Sequence, residues 1–354
     1  MLEVVDPGLL LTLQDRGRPG WAHLGIPVSG AADAWGLAVA NLLARAPADA
    51  AAVEMTLGGA ELIVRETCLV SLGGADLGAE RDDGLPLAAG AAHRIPGGSR
   101  IRLGGSQHGL RAYVGLAGGV VAHRVLGSAS TYAPAALGGV DGRALRAGDL
   151  LTPVRRGDLA GAGLTWPSRL APHPAAASGP IRFLPGPDLR HLDADLVDAF
   201  TAATWRIGRA GDRMGLRLEG PPLAAGGEIV SHALAPGAIQ LPSGGLPLVL
   251  LADGPTVGGY PVLGVVPRAQ MPRLGQLRPG DAVRFRVQAP ARSARLSHSA
   301  SAARAAPALA RRACCARHAA RARSASWARN RTASPGRSWP RRGISARVTT
   351  PSTG

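Results

Sequence analysis

A mostly β chain in two parts is what this sequence predicts, and three observations predict it. Short apolar runs recur between turn residues. Glycine (49) and proline (29) are abundant, which favours many turns over long helices. The pattern also lapses once, over residues 166–180, where Trp166-Pro167 leads into Pro174-Ala175-Ala176-Ala177-Ser178-Gly179-Pro180, and then resumes. The expected division is an N-terminal β domain at 1–165, a linker at 166–180, a C-terminal β domain at 181–288 and a tail at 289–354.

In chain order, strands are expected at Leu62-Ile63-Val64, Leu69 to Leu72, Arg100 to Leu103 and Arg111 to Val114. One helix interrupts them, with Asp33 as N-cap and Trp35, Val39, Leu42 and Leu43 at helical spacing. Cys68 falls in an apolar run and reads as a buried strand residue. In the second half, strands are expected at Ile181 to Leu184, Ile239 to Leu241, Leu246 to Leu251 and Ala282 to Val287, with a helix at Asp193 to Phe200. The segment Leu145-Arg146-Ala147-Gly148-Asp149 near the end of the first half echoes Leu277-Arg278-Pro279-Gly280-Asp281 near the end of the second. Only 3% of residues are aromatic, so the core is expected to be aliphatic.

The formal charge of +16 is concentrated. Arginine supplies fourteen charges after residue 291 with no acid among them, leaving about +2 for the rest. That body carries no nucleic-acid footprint. The Arg/Ala/Ser tail lacks apolar periodicity and is expected to be disordered. There is no lysine anywhere, which excludes lysine Schiff-base chemistry and a P-loop lysine in this chain. Three cysteines and nine histidines show no metal-ligand or disulfide spacing, so no metal site is expected. With no signal-peptide pattern and no long apolar run, the expected location is the cytoplasm, away from membranes.

Polar groups beside Gly/Pro turns are the candidate chemistry. The first cluster is Thr12 to Gly20, where Gln14, Asp15 and Arg18 follow a strand; Asp15 can take a proton, orient Arg18 or simply close a surface turn. The second is His23 to Asp33, where Ser29 and Asp33 either cap a helix or face a ligand; Glu54 and Asp76 beside Gly-rich turns are further acids. The third is Asp212 to Gly220, where Arg213 and Arg217, four apart, can present two guanidinium groups on one face or pair with Glu219. The last is Asp253 to Pro261, where Thr256, Gly258, Gly259 and Tyr260 offer hydroxyls and close backbone approach, or form a plain turn.

At these same clusters the chain resembles the biotin-dependent carboxyltransferase-like family that includes the C-type subunit of 5-oxoprolinase, the KipA proteins and allophanate hydrolase subunit 2. The resembling stretches are Leu11 to Arg18, Gly25 to Asp33, Glu54 to Gly59, Gly127 to Tyr132, Asp212 to Gly215, Pro236 to Pro242, Gly254 to Pro261 and Gln276 to Asp281. They run in order over about residues 1–288. The resemblance implies two cyclophilin-like β-barrel domains with a few short helices. It implies an ATP-using complex that hydrolyses 5-oxoproline to glutamate, with a B-type (KipI-like) subunit, an A-type (LamB/YcsF-like) subunit and a small-molecule amide substrate. Biotin enters only under the urea-carboxylase alternative, and a KipA-like regulatory protein is the third reading. Within the resembling motifs, Asp15 and Arg213 are the expected catalytic groups. Gln14, Arg18, Ser29, Gln240, Thr256, Gly258, Gly259 and Tyr260 are the expected substrate-binding groups. Relatives often carry Arg-Gln-Thr where this chain has Gly254-Pro255-Thr256, so a role borne by that Gln is not carried over.

Overall fold

The first part of the chain is built from ten strands: β1 (Leu2–Asp6), β2 (Leu10–Gln14), β3 (Ala52–Thr56), β4 (Ala60–Val64), β5 (Cys68–Asp76), β6 (Glu80–Arg81), β7 (Ala92–Ile95), β8 (Arg100–Leu103), β9 (His108–Leu116) and β10 (Leu150–Leu151). This computed structural model describes residues 1–106, 108–169, 172–188, 192, 194–224 and 227–288; the tail expected at 289–354 lies outside them. The strands form two five-stranded sheets, β10-β1-β4-β8-β6 and β2-β3-β9-β5-β7. Their inner faces meet in one aliphatic core, to which Val4, Leu62 and Ile101 contribute from one sheet and Leu13, Met55 and Val114 from the other.

Strand pleating decides what the outer face of the second sheet carries. Val53 and Met55 of β3 point into the shared core, so Glu54 between them points outward. There it lies opposite Tyr113 of β9, and Arg111 lies opposite Thr56 on the same face. Helix α1 (Ala34–Leu43) covers this face, so all three polar side chains are buried. The helix starts where the sequence places it: the Asp33 carboxylate accepts from the amides of Trp35 and Gly36 at 3.0 and 2.9 Å.

The second part contains β11 (Ile181–Pro185), β12 (Trp205–Ile207), β13 (Gly215–Glu219), β14 (His232–Ala233), β15 (Ala238–Gln240), β16 (Leu248–Leu250), β17 (Val257–Gly258), β18 (Val262–Val265), β19 (Ala282–Val283) and β20 (Phe285–Val287). Eight of them form one sheet in the order β19-β12-β13-β16-β15-β18-β11-β20. The two edge strands, β19 and β20, are separated in sequence by Arg284 alone, so the sheet curls into a nearly closed barrel. Helices α2 (Ala194–Ala202) and α3 (Met271–Gly275) complete this part. The mostly β fold is therefore as expected.

The core of the second part is not purely aliphatic, in contrast to the expectation from composition. All three phenylalanines of the chain, Phe183, Phe200 and Phe285, pack with Trp205 in this second core, with ring centroids 5.0–5.5 Å apart. Average composition hid the aromatics because they are gathered at one place. The two echoing segments, in contrast, are the same turn. Asp149 and Asp281 each accept from the amide three residues back at 2.8 Å, and Gly148 and Gly280 both have φ of 89°.

Candidate functional site

The loop after β2 forms a buried polar knot with residues 128–131. Both oxygens of Asp15 are occupied. Oδ1 accepts from Ser128 Oγ (2.5 Å), Ser130 Oγ (2.6 Å) and Gly17 N (2.8 Å), and Oδ2 from Ala129 N (2.7 Å). This geometry makes Asp15 an anchor for the 128–131 segment and leaves little capacity for taking a proton from a substrate. Gln14 donates to Thr12 Oγ1 and the Thr131 carbonyl, and Ser29 Oγ to the same carbonyl at 3.3 Å. Arg18 donates to the carbonyls of Ser130 and Val125. Burial pulls the Arg18 pKa down, and Asp15 and Asp253 offset part of that. Among the described residues Gln14 Oε1, Arg18 Nη1 and Thr131 Oγ1 are buried without a hydrogen-bond partner, so the knot retains hydrogen-bonding capacity.

Ser29 sits at φ 55°, a left-handed conformation that non-glycine residues seldom adopt. Its amide donates to the Ala252 carbonyl at 2.8 Å, which helps to hold it there. Gly17 packs behind it with φ 83°, and a Cβ at Gly17 would lie 2.6 Å from the Ser29 carbonyl oxygen. Gly17→Ala should therefore cost at least about 1–2 kcal/mol in stability for the backbone alone, plus the clash. Gly20→Ala supplies the control, because Gly20 also has positive φ (99°) but open space around it. Thermal melting should show the larger loss at Gly17; equal losses would mean that the Ser29 contact is not tight.

Arg213 does not stand free as a donor to a substrate, as the sequence suggested it could. It makes four bonds to three protein acceptors: Nε and Nη2 hold Asp253 at 2.7 and 3.0 Å, Nη1 holds Glu54, and Nη2 holds the Gly30 carbonyl at 2.6 Å. Nor does Arg217 share its face: Arg217 is exposed on β13 while Arg213 is buried just before it. Burial works against the Arg213 charge, yet the Glu54 and Asp253 carboxylates more than reverse this and raise its pKa.

Glu54 is the centre of a second network that the sequence alone did not place in the site. It accepts from Tyr113 Oη (2.8 Å) and Ala32 N (2.9 Å), and Arg111 lies 3.7 Å away. Gln276, just past α3, completes it by accepting from the amides of Leu110 and Arg111 and donating to Asp33 Oδ2 and the Arg111 carbonyl. The first and second parts of the chain are thus joined by buried charges and amides. A detectable signal existed: Glu54 is an acid inside an apolar strand, and Arg111 a base inside another, which demands buried partners.

Burial alone would raise the Glu54 pKa. The charges of Arg213 and Arg111, the Tyr113 hydroxyl and the Ala32 amide outweigh it and hold the pKa below 4.5. A lowered folded pKa means that the unfolded chain binds this proton first. The stabilisation is then complete above about pH 5 and is lost as pH falls through 4.5 towards the folded value. Urea midpoints should fall across that window more steeply for the native chain than for Glu54→Gln, which lacks the titrating group; parallel curves would contradict this.

A cleft of about 290 Å³ opens beside these networks. Asp15 and Ser29 line it, with Val28, Ala31, Ala32 and Ala34 from the first part and Pro236, Ala252, Arg268, Met271 and Pro272 from the second. Gln14, Arg18 and Arg213 stand behind it rather than on its wall. Gln240, Thr256, Gly258, Gly259 and Tyr260 do not line it either. The loop residues bond mainly to the 229–234 segment: Gly258 pairs with His232, Thr256 O accepts from Leu234 N and Gly259 O accepts from Ile229 N, while Gln240, paired in β15 with Leu248 and Val262, donates from Nε2 to Tyr260 O at 3.5 Å. The structure therefore brings Asp15 and Ser29 to one cleft and leaves the glycine loop apart. Among the described residues no helix is long and apolar enough to cross a membrane.

Known proteins share this architecture. The family model described as carboxyltransferase domain, subdomain A and B, matches residues 24–287. The chain is 36% identical over 295 residues to the C-type subunit of 5-oxoprolinase from Escherichia coli, covering 80% of this chain and 90% of that protein. It is 31% identical to urea amidolyase of Lachancea kluyveri, but spans only 17% of that longer protein. Among solved structures, TTHA0988 superposes with a TM-score of 0.72 at 33% identity, covering 80% of this chain and 56% of that one. The Kluyveromyces lactis urea carboxylase superposes at 0.74 with 26% identity, covering 81% of this chain and 27% of that one.

Proposed function

We propose, from the premise that this chain belongs to the carboxyltransferase-domain family (subdomains A and B), that it is the C-type subunit of an ATP-dependent complex hydrolysing 5-oxoproline to glutamate. The observation that carries this reading is the 36% identity to the C-type subunit of a 5-oxoprolinase along 90% of that protein's length. The likeness to urea amidolyase supports a second reading, a carboxyltransferase acting on urea, but it extends over a minor fraction of that enzyme.

In the proposed complex the cleft beside Ser29 holds the lactam ring. In this reading the lactam oxygen takes the γ-phosphoryl group of ATP and ADP leaves; water adds to the activated carbon, the C–N bond breaks to free the amine and leave an acyl phosphate, and a second water releases phosphate and glutamate. This chain has no lysine and therefore no P-loop lysine to hold the nucleotide. The part of this chain is positioning. Asp15 fixes the 128–131 segment, Ser29 is held in its left-handed conformation on the wall, and Arg213 with Gln276 fixes the two halves against each other. Co-expression with both partner types and measurement of glutamate release from 5-oxoproline tests this. The expected result is release that requires ATP; a purified complex that turns over urea and ignores 5-oxoproline would favour the second reading.

A further inference from the structure

The cleft carries two cationic side chains that no network explains. Arg16 lines it from the first part of the chain and Arg268 from the second. Both are exposed, and among the described residues neither guanidinium has an ion pair or a hydrogen bond. The acid beside Arg16, Asp15, already accepts four hydrogen bonds from Ser128, Ser130, Gly17 and Ala129. Other arginines are held by acids, as Arg213 with Asp253, Arg143 with Asp149 and Arg65 with Glu3. What distinguishes Arg16 and Arg268 is that both of these unpaired arginines line one small cleft.

The rest of the cleft lining has a different character. Val28, Ala31, Ala32, Ala34, Pro236 and Ala252 present apolar atoms with few polar ones. The alanines are short, and that shortness leaves the volume of about 290 Å³. Such a space suits a compact apolar body, and the arginines suit a planar anion, which a guanidinium fork can bind with two parallel hydrogen bonds. Salt-screened surface arginines would not require a cavity between them.

We infer that this cleft is a carboxylate site: it binds a small, compact carboxylic acid whose ring or short chain fills the alanine-lined space and whose carboxylate is paired by Arg16 and Arg268. The choice of 5-oxoproline as the natural occupant rests on the function proposed above; the carboxylate class rests on the cleft alone. Because the two arginines come from the two parts of the chain, the ligand would also bridge those parts, so binding should stabilise the folded chain.

Calorimetric titration of the full chain at low salt tests the inference, with 5-oxoproline and its uncharged carboxamide as probes. The acid should bind at least about tenfold more tightly than the carboxamide. R16Q and R268Q should each weaken the acid about tenfold while leaving the carboxamide little changed, and the double variant should abolish the preference. In the assembled complex the same variants should raise KM more than they lower kcat. Equal binding of acid and carboxamide, no binding of either, or an undiminished preference in the double variant would overturn the carboxylate site. Arginine-dependent binding of the acid without its hydrolysis by the complex would instead sink the proposed function and leave this site standing. Hydrolysis with a KM indifferent to both arginines would do the reverse.

Discussion

Arg213→Ala is expected to destabilise the chain by about 3–5 kcal/mol, the range for breaking a buried ion pair by deleting one partner. The reason lies in what remains. Glu54 and Asp253 are 1% and 6% exposed, and each would lose its Arg213 partner without gaining access to water. Arg111, 3.7 Å from Glu54, cannot replace the lost bonds from its present position, and its own charge is already disfavoured by burial. The Gly30 carbonyl also loses a donor, which loosens the backbone next to Ser29. Arg213→Lys should recover only part of the loss, since one ammonium cannot span Asp253, Glu54 and Gly30 as the guanidinium does. The urea midpoint reads this directly. A midpoint within error of the native chain in Arg213→Ala would remove the network from any account of how the two parts are held together.

The second large effect is expected at Asp15. Asp15→Ala leaves two buried hydroxyls and two amides facing no acceptor, at a cost of about 3 kcal/mol, the upper end for a hydrogen-bonded charge. Ser128 and Ser130 would rotate to other partners, and the 128–131 segment would move away from the loop that carries Gly17 and Ser29. Hydrogen exchange should therefore quicken at residues 128–131, and ligand binding in the cleft should weaken in parallel. Asp15→Asn, which keeps one acceptor oxygen, should lie between. If Asp15→Ala retained native exchange rates but lost all activity in the complex, Asp15 would act on the substrate and not as an anchor.

These two residues show what the sequence could and could not reveal. The strands were legible because apolar alternation and Gly/Pro turns are local properties, and α1 was legible from a capping acid and its helical spacing. The paired turns at Gly148 and Gly280 were legible for the same reason. Partnership was not. Nothing near Arg213 in the chain identifies Glu54, which is 159 positions away, or distinguishes a guanidinium filled by protein acceptors from one offered to a ligand. Gln276 is 243 positions from the Asp33 carboxylate it holds. Glycine loops carry the same ambiguity: the 256–260 segment has the composition of a binding loop, and its described bonds serve a small two-stranded arm with His232–Ala233. Arg16 lay inside a motif and Arg268 outside all of them, and neither was singled out, because what joins them is the cleft that both line.

Lactam hydrolysis by the proposed complex should require this chain for positioning. The direct measurement is an omission experiment on the reconstituted complex, following glutamate formed from 5-oxoproline in the presence of ATP. With all three subunit types present glutamate should accumulate, and leaving out this chain alone should reduce the rate to background. Adding it back should restore the rate, and adding back the Asp15→Ala chain should not. Glutamate formation at the full rate by the partner subunits without this chain would contradict that role.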